Sequence, residues 1–322
     1  MNDEQSNGRN LTRRDFLKSA GRAGLYVTLA GSMSTAFPAM GAAAETRKIC
    51  LFSKHLQWLD YEEMARTAAD IGFDGMDLTV RPGGHVLPEN VERDLPRAVQ
   101  AIKQAGLDPL MMTTAVADPD DPMTETILKV ASQQGIRYYR TNWLDYKEGM
   151  SIQKNLDAYA KQLTGLAALN RKYGIRGGYQ NHMGDGVGAA VWDLWMILKQ
   201  VNSPWMGSQY DIRHATVEGT DTWPLGLRLL SPYINTLVLK DFHWREVNGK
   251  SQVENVPLGQ GMVDFNRYIP MLKELNVNAP VTLHFEYDLG GAEHGADHLS
   301  VDPDVVIGAM KRDLATAREL LA

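Results

Sequence analysis

The stretch AIKQAGLDPLMMTT, residues 101–114, decides how the rest of the chain is read. Its first half closes a run of helical period, Gly106 interrupts it, and an apolar strand candidate follows over residues 109–113. Glycine suits the interruption because a helix commonly ends on a residue of positive φ, a conformation that strains an L side chain. The same phrase of helix, glycine and strand recurs at Gly72, Gly135 and Gly174. Extending it along the chain predicts eight strands, over 48–52, 75–80, 109–113, 138–141, 177–182, 206–211, 234–240 and 280–286. Helices are predicted near 60–71, 90–105, 123–134, 152–173, 188–201, 222–230, 264–276 and 303–321. Strand and helix alternating in this way argues for parallel βα units. No Gly-x-Gly-x-x-Gly follows the first strand, so a dinucleotide-binding sheet has no support. Eight units without a dividing linker predict an α/β fold, a closed (β/α)8 barrel forming a single domain over residues 45–322.

Composition narrows the function. Of 322 residues, 44% are hydrophobic and 22% charged, the profile of a globular protein and not of a disordered or fibrous one. The net charge of −6 is the wrong sign for neutralising phosphates, so nucleic acid is not an expected partner. Cys50, the one cysteine, excludes internal disulfides and cysteine-based structural zinc modules.

The first 44 residues read as an address. Thr12-Arg13-Arg14-Asp15-Phe16-Leu17-Lys18 follows the twin-arginine export pattern, and a mild Gly- and Ala-rich stretch leads to Ala42-Ala43-Ala44, small residues suited to a signal peptidase. Gly24, Gly31 and Pro38 break that stretch, so no membrane span is expected once the signal is removed. The expectation is a signal peptide over 1–44 and a periplasmic or exported enzyme, folded before translocation.

In a barrel of this kind the chemistry lies at the carboxyl ends of the strands and in the loops after them. Those positions carry Ser53, Lys54 and His55; Arg81 and His85; Thr113 and Thr114; Arg140 and Asn142; Gln180 and His182; Asp211 and His214; Lys240 and Asp241; His284 and Glu286. Residues two apart share a strand face, so Gln180 with His182, and His284 with Glu286, can project together into the barrel mouth. Gln180, Asp211, His284 and Glu286 are the candidate ligands for a divalent cation, Mn, Mg, Co or Zn. An ionised Asp211 at a strand end must in any case be paired with a cation of some kind. Lys54, Arg81, His85 and Asn142 are candidate substrate-binding groups. The Gly290–Gly295 loop, with Glu293 and His294, reads equally as a phosphate cradle, a lid or a plain turn. Among the tryptophans Trp143, Trp192, Trp195, Trp205, Trp223 and Trp244, the pair Trp192 and Trp195 falls at helical spacing and reads as core.

Several phrases resemble the sugar isomerase/epimerase superfamily with the xylose isomerase-like TIM barrel, over residues 46–321. They are Gly72-Phe73-Asp74-Gly75-Met76-Asp77, Asn181-His182, Asp211-x-x-His214, Val238-Leu239-Lys240-Asp241 and Pro257-Leu258-Gly259-Gln260-Gly261-Met262-Val263-Asp264-Phe265. Within it the chain looks similar to an exported bacterial branch, on Gly83-Gly84-His85-Val86-Leu87-Pro88, Tyr179-Gln180-Asn181-His182 and His284-Phe285-Glu286-Tyr287 followed by Gly290-Gly291-Ala292-Glu293-His294-Gly295. The resemblance implies a divalent metal held by Glu, Asp, His and Glu from strands five to eight. Gln180, Asp211, Val238 and His284 stand at those positions here, so only the aspartate is kept, and His182 or Glu286 would have to complete a rearranged site. The paired glutamates that shuttle a proton between the two faces of a ketose are also changed.

The implied chemistry is proton abstraction beside a sugar carbonyl. The carbonyl oxygen would be held by a cation, or by Lys240 and Arg140, while Glu286, His182 or His214 takes the proton. The enediolate then leads to isomerisation, epimerisation or elimination, and the branch is associated with 3-keto-glycosides, which would make a lyase or hydratase the alternative reaction. A metal-dependent abasic-site endonuclease would need a richer metal cluster and a basic face. A non-catalytic periplasmic sugar-binding barrel, and pairing into a homo-oligomer, complete the set of readings; the expected partner is a small sugar or keto-sugar.

Overall fold

Strands β1 (Ile49–Phe52), β2 (Gly75–Val80), β3 (Asp108–Thr114), β4 (Tyr138–Arg140), β5 (Arg176–Gln180), β6 (Met206–Asp211) and β7 (Ile234–Leu239) are seven staves of a closed parallel barrel. A hairpin, β8 (Asp241–Val247) and β9 (Lys250–Val256), interrupts the series before the eighth stave, β10 (Val281–Leu283). The ring runs β1-β10-β7-β6-β5-β4-β3-β2, so the (β/α)8 TIM barrel expected from the sequence is the fold found. The computed structural model describes residues 47–322; the export signal expected over 1–44 lies outside the described residues.

Helices α1 (Tyr61–Ile71), α2 (Val91–Gln104), α3 (Pro122–Gln134), α4 (Ile152–Tyr173), α5 (Val191–Val201), α6 (Ile212–Gly219), α7 (Trp223–Leu230), α8 (Phe265–Glu274) and α9 (Pro303–Leu321) lie between and after the strands. Local chemistry sets many of their ends. Asp60, Asp121 and Asp302 cap α1, α3 and α9 by accepting backbone N–H bonds, and Pro122 and Pro303 begin two of these helices where a missing N–H is harmless. The four glycines of the repeated phrase all have positive φ, from 65° at Gly174 to 106° at Gly72. Among the described residues no helix is long and apolar enough to cross a membrane.

Alternation along the strands separates two environments. One set of side chains, including Leu51, Leu78, Met112, Leu237 and Leu283, is buried in the apolar layer under the helices. The other set turns into the barrel. Register places Asp77 opposite Met111, Thr113 opposite Arg140, Gln180 opposite Gln209 and Asp211 opposite Val238. The lumen is therefore polar along much of its length, and its charged groups gather at the carboxyl end.

Two elements were absent from the sequence reading. Helix α6 starts directly at the end of β6, with Asp211 as its cap: Oδ1 accepts from the His214 backbone N–H at 3.1 Å. The β8–β9 hairpin extends from the end of β7. Beneath it, the Asp241 carboxylate accepts N–H bonds from Phe242, Gly259, Gly261 and Val263. A Cβ on Gly261 would lie 2.3 Å from an Asp241 oxygen, so only glycine allows this approach. The Pro257–Phe265 phrase thus wraps a buried carboxylate, and the Lys240-Asp241 pair divides its labour: the lysine turns into the barrel and the aspartate anchors the loop.

Candidate active site

Lys240 is the hub. It follows β7, is 4% exposed, and its Nζ lies 3.1 Å from Asp211 Oδ2, 3.0 Å from Glu286 Oε2 and 2.8 Å from His214 Nε2. Two stretches distant from it in sequence, 211–214 and the segment after β10, therefore meet on one ammonium. Asp211 comes from the end of β6, His214 from the first turn of α6, and Glu286 from three residues past β10. Gln180, the last residue of β5, bridges outward: its Nε2 donates to Asp211 Oδ2 at 2.8 Å and its Oε1 accepts from Arg140 at 3.0 Å. The Arg140 guanidinium lies 4.1 Å from the centre of the Trp143 ring, in cation–π contact.

On the other side Lys54 Nζ lies 3.5 Å from Glu286 Oε1, which also has His284 Nδ1 at 3.6 Å. His284 stacks on Phe52 with ring centres 4.4 Å apart, and Lys54 and Arg81 both hang over the same phenyl ring. His284 is buried, and neither of its nitrogens has a hydrogen-bond partner among the described residues. Burial drives its pKa down to about 4, so the ring is neutral at neutral pH.

His182, two residues beyond β5, stands between Trp143 and His214, with ring centres 4.8 and 4.0 Å away. Its Nδ1 lies 2.8 Å from the Met183 carbonyl, which can only accept, so Nδ1 carries the proton and Nε2 presents a lone pair. Among the described residues nothing hydrogen-bonds that Nε2. Burial and Lys240 lower its pKa, which keeps the ring neutral. His214, by contrast, faces a donor at each nitrogen, Arg213 at 2.9 Å from Nδ1 and Lys240 at 2.8 Å from Nε2, and its neutral ring accepts from one of them. Glu286 behaves differently again: burial alone would raise its carboxyl, but Lys240, His284 and Lys54 overturn that and hold it well below the usual range. With 23% of its side chain exposed, Glu286 is also more open to solvent than Asp211 or Lys240.

The structure thus gathers Lys54, Arg140, Gln180, His182, Asp211, His214, Lys240, His284 and Glu286 into one cluster, with Arg81 at its edge. It places the remaining two substrate-binding candidates differently. His85 is held by Thr79 Oγ1 and the Leu56 carbonyl, both at 3.2 Å, and Asn142 is exposed. His55 ties the loop after β10 down, with Nε2 accepting from Phe285 N–H at 3.0 Å and Nδ1 donating to the Ala292 carbonyl at 3.1 Å. In the Gly290–Gly295 loop the Glu293 carboxylate accepts from the Leu289 and Gly291 N–H groups, the arrangement of a self-capped turn. Sequence reasoning missed Asp77, Arg213 and Phe52. Asp77 is fully buried beside Thr113 and is pushed up to about 6 by burial; its place two residues before Thr79 on an otherwise apolar strand was the available signal.

The donors do not fit a divalent cation. Gln180 has turned its amide nitrogen toward Asp211 and given its oxygen to Arg140. Both Asp211 oxygens are committed, one to the His214 N–H and the other to Gln180 and Lys240. Val238, at the position the resemblance gives to histidine, is apolar, and among the described residues no three His, Cys, Asp or Glu side chains stand together as a metal-holding group. The four-residue set Gln180, Asp211, His284 and Glu286 expected as ligands is instead organised around an ammonium.

Known structures share this architecture at low sequence identity. D-psicose 3-epimerase from Clostridium cellulolyticum H10, solved with D-tagatose, superposes with a TM-score of 0.64 at 13% identity, over 85% of this chain and 99% of that one. A 3-keto-D-glucoside 4-epimerase from E. coli gives 0.62 at 14%, over 85% and 99%. The IOLI protein, solved with a bound zinc atom, gives 0.67 at 15%, over 85% and 98%. No curated protein sequence matches the chain. Residues 65–300, well over half of the sequence, match the family described as xylose isomerase-like TIM barrel, and the chain belongs to that family.

Proposed function

We propose that the chain is a sugar isomerase- or epimerase-type enzyme that removes a proton from the carbon beside a sugar carbonyl. The observation that carries this reading is the Lys240 ammonium set between a reachable carboxylate, Glu286, and a neutral imidazole, His182, whose Nε2 has no partner among the described residues. The carbonyl oxygen takes an N–H of Lys240. Of the three acceptors now on that ammonium, Glu286 is the one open to solvent, so it is the one that yields. The negative charge that develops on the oxygen is then stabilised in place by Lys240, which makes the neighbouring C–H acidic. His182 from the β5 end and Glu286 from the β10 end are the proton acceptors, on opposite sides of Lys240 in the ring of strands. Inversion at one carbon requires that one of the two take the proton and that the other, having itself picked up a proton from solvent, return it to the opposite face.

A 3-keto-glycoside or a free ketose meets these demands, and the shared fold of ketose and keto-glucoside epimerases supports that choice. The twin-arginine pattern at residues 12–18 supports an exported enzyme. The test is incubation with free ketoses and 3-keto-glucosides, with products identified by NMR. The reading predicts a new epimer or isomer with the carbon skeleton intact. An unsaturated product would replace it with elimination, and saturable sugar binding without turnover of either class would contradict it.

A further inference from the structure

We propose that the Lys240 ammonium takes the divalent cation's place in this barrel, so that the chain binds no divalent metal at Asp211. The proposal rests on reading this cluster as the active site but not on which reaction occurs there. Lys240 Nζ is within 3.1 Å of two carboxylate oxygens and an imidazole nitrogen, an anionic set that converges on a single point. A metal would need that point, and the lysine already occupies it with hydrogen bonds directed at Asp211, Glu286 and His214. Charge leads to the same conclusion. Besides Lys240, Lys54 lies against Glu286, Arg140 against Gln180 and Arg213 against His214, so a further doubly positive ion would enter a site already rich in cations, in surroundings where water screens poorly. The surrounding changes agree: Gln180 presents an amide N–H to Asp211, which bonds a carboxylate but repels a metal, and Val238 offers no donor. The difference is chemical as well as electrostatic. An ammonium stabilises an oxyanion through directed N–H bonds, while a divalent ion does so through coordination.

Calorimetric titration with Mn²⁺, after chelator treatment of the wild-type protein, tests this without any turnover. The proposal expects no stoichiometric binding to the wild type. Lys240→Ala exposes Asp211, Glu286 and His214 to one another, and is expected to bind one Mn²⁺ roughly 100-fold more tightly than the wild type. Adding Asp211→Asn to that variant is expected to remove the gain. One equivalent of Mn²⁺ or Zn²⁺ on the wild type, lost in Asp211→Asn, would overturn the proposal. A folded Lys240→Ala protein with no greater metal affinity than the wild type would overturn it too. Should the alanine variant fail to fold, the wild-type titration still decides. Because no sugar is involved, failure here is separable from failure to find a substrate.

Discussion

The two faces of the same eight strands obey different rules. Residues facing the helices, such as Leu51, Leu237, Leu239 and Leu283, are apolar and at most 1% exposed. Residues facing the lumen include Asp77, Arg140, Gln180 and Asp211, equally buried but charged or polar. The outer layer stabilises through area removed from water, about 1.5–3 kcal/mol for each large side chain. Desolvation of the lumen groups costs free energy, repaid only where a partner is well placed. His284, with two nitrogens unpartnered among the described residues, and Arg140, with its Nε likewise unpartnered among them, are places where repayment is incomplete. A fold that needed only stability would fill these positions with Val, Ile or Leu, as barrel interiors commonly are. The contrast puts polar groups on alternate residues of the same strands, leading up to the candidate site just past their carboxyl ends.

Substitutions on the two faces should therefore fail in different assays. The largest effect is expected for Lys240→Met and His182→Gln, each lowering kcat of the folded protein about 10³-fold, or about 4 kcal/mol in activation free energy; His182→Gln leaves the unfolding midpoint nearly unchanged, while Lys240→Met also lowers it because Asp211 and Glu286 lose their shared cation. A large loss of stability with activity retained in the folded fraction would erase the distinction. Next comes Leu237→Ala on the outer face, expected to cost about 3 kcal/mol in denaturant unfolding while leaving KM and kcat of the folded protein alone. Asp77→Asn comes last, reaching a similar size only at high pH and with the opposite sign. The native Asp77 carboxyl is raised from 3.8 to about 6 by burial, so the folded protein binds that proton more tightly than the unfolded chain. Stability is lost as pH rises from about 4 to about 6 and is not regained above it. The asparagine variant removes that slope and gains up to about 3 kcal/mol at pH 8, read from unfolding curves at pH 4 and pH 8.

The barrel was legible because its signals are local. Glycine stops, aspartate caps and short apolar runs each act within a few residues, and together they fix eight units. The hairpin carried a local signal that was passed over. Asn248-Gly249 sits between β8 and β9 with both residues at positive φ, the preferred pair for a tight hairpin turn. Helix α6 went unseen for another reason: Asp211 serves as both site residue and helix cap, and the spacing to His214 was read only as chemistry. Strand period placed Gln180, Asp211, Lys240 and Glu286 near the mouth, but not the contacts among them. That Gln180 would turn its nitrogen to Asp211 depends on Arg140, forty residues earlier in the chain, claiming its oxygen. The centre of the site lay on a lysine for the same reason: which group reaches the point of convergence is decided by tertiary geometry, not by spacing.

The central claim is that Lys240 and its neighbours make one hydrogen beside a sugar carbonyl removable. Proton NMR of a 3-keto-glucoside or ketose held with the enzyme in D₂O follows that hydrogen directly. The account predicts loss of the signal next to the carbonyl with the wild-type protein, and retention with Lys240→Met and His182→Gln. A wild-type protein that binds these sugars yet leaves every carbon-bound hydrogen unexchanged would contradict it.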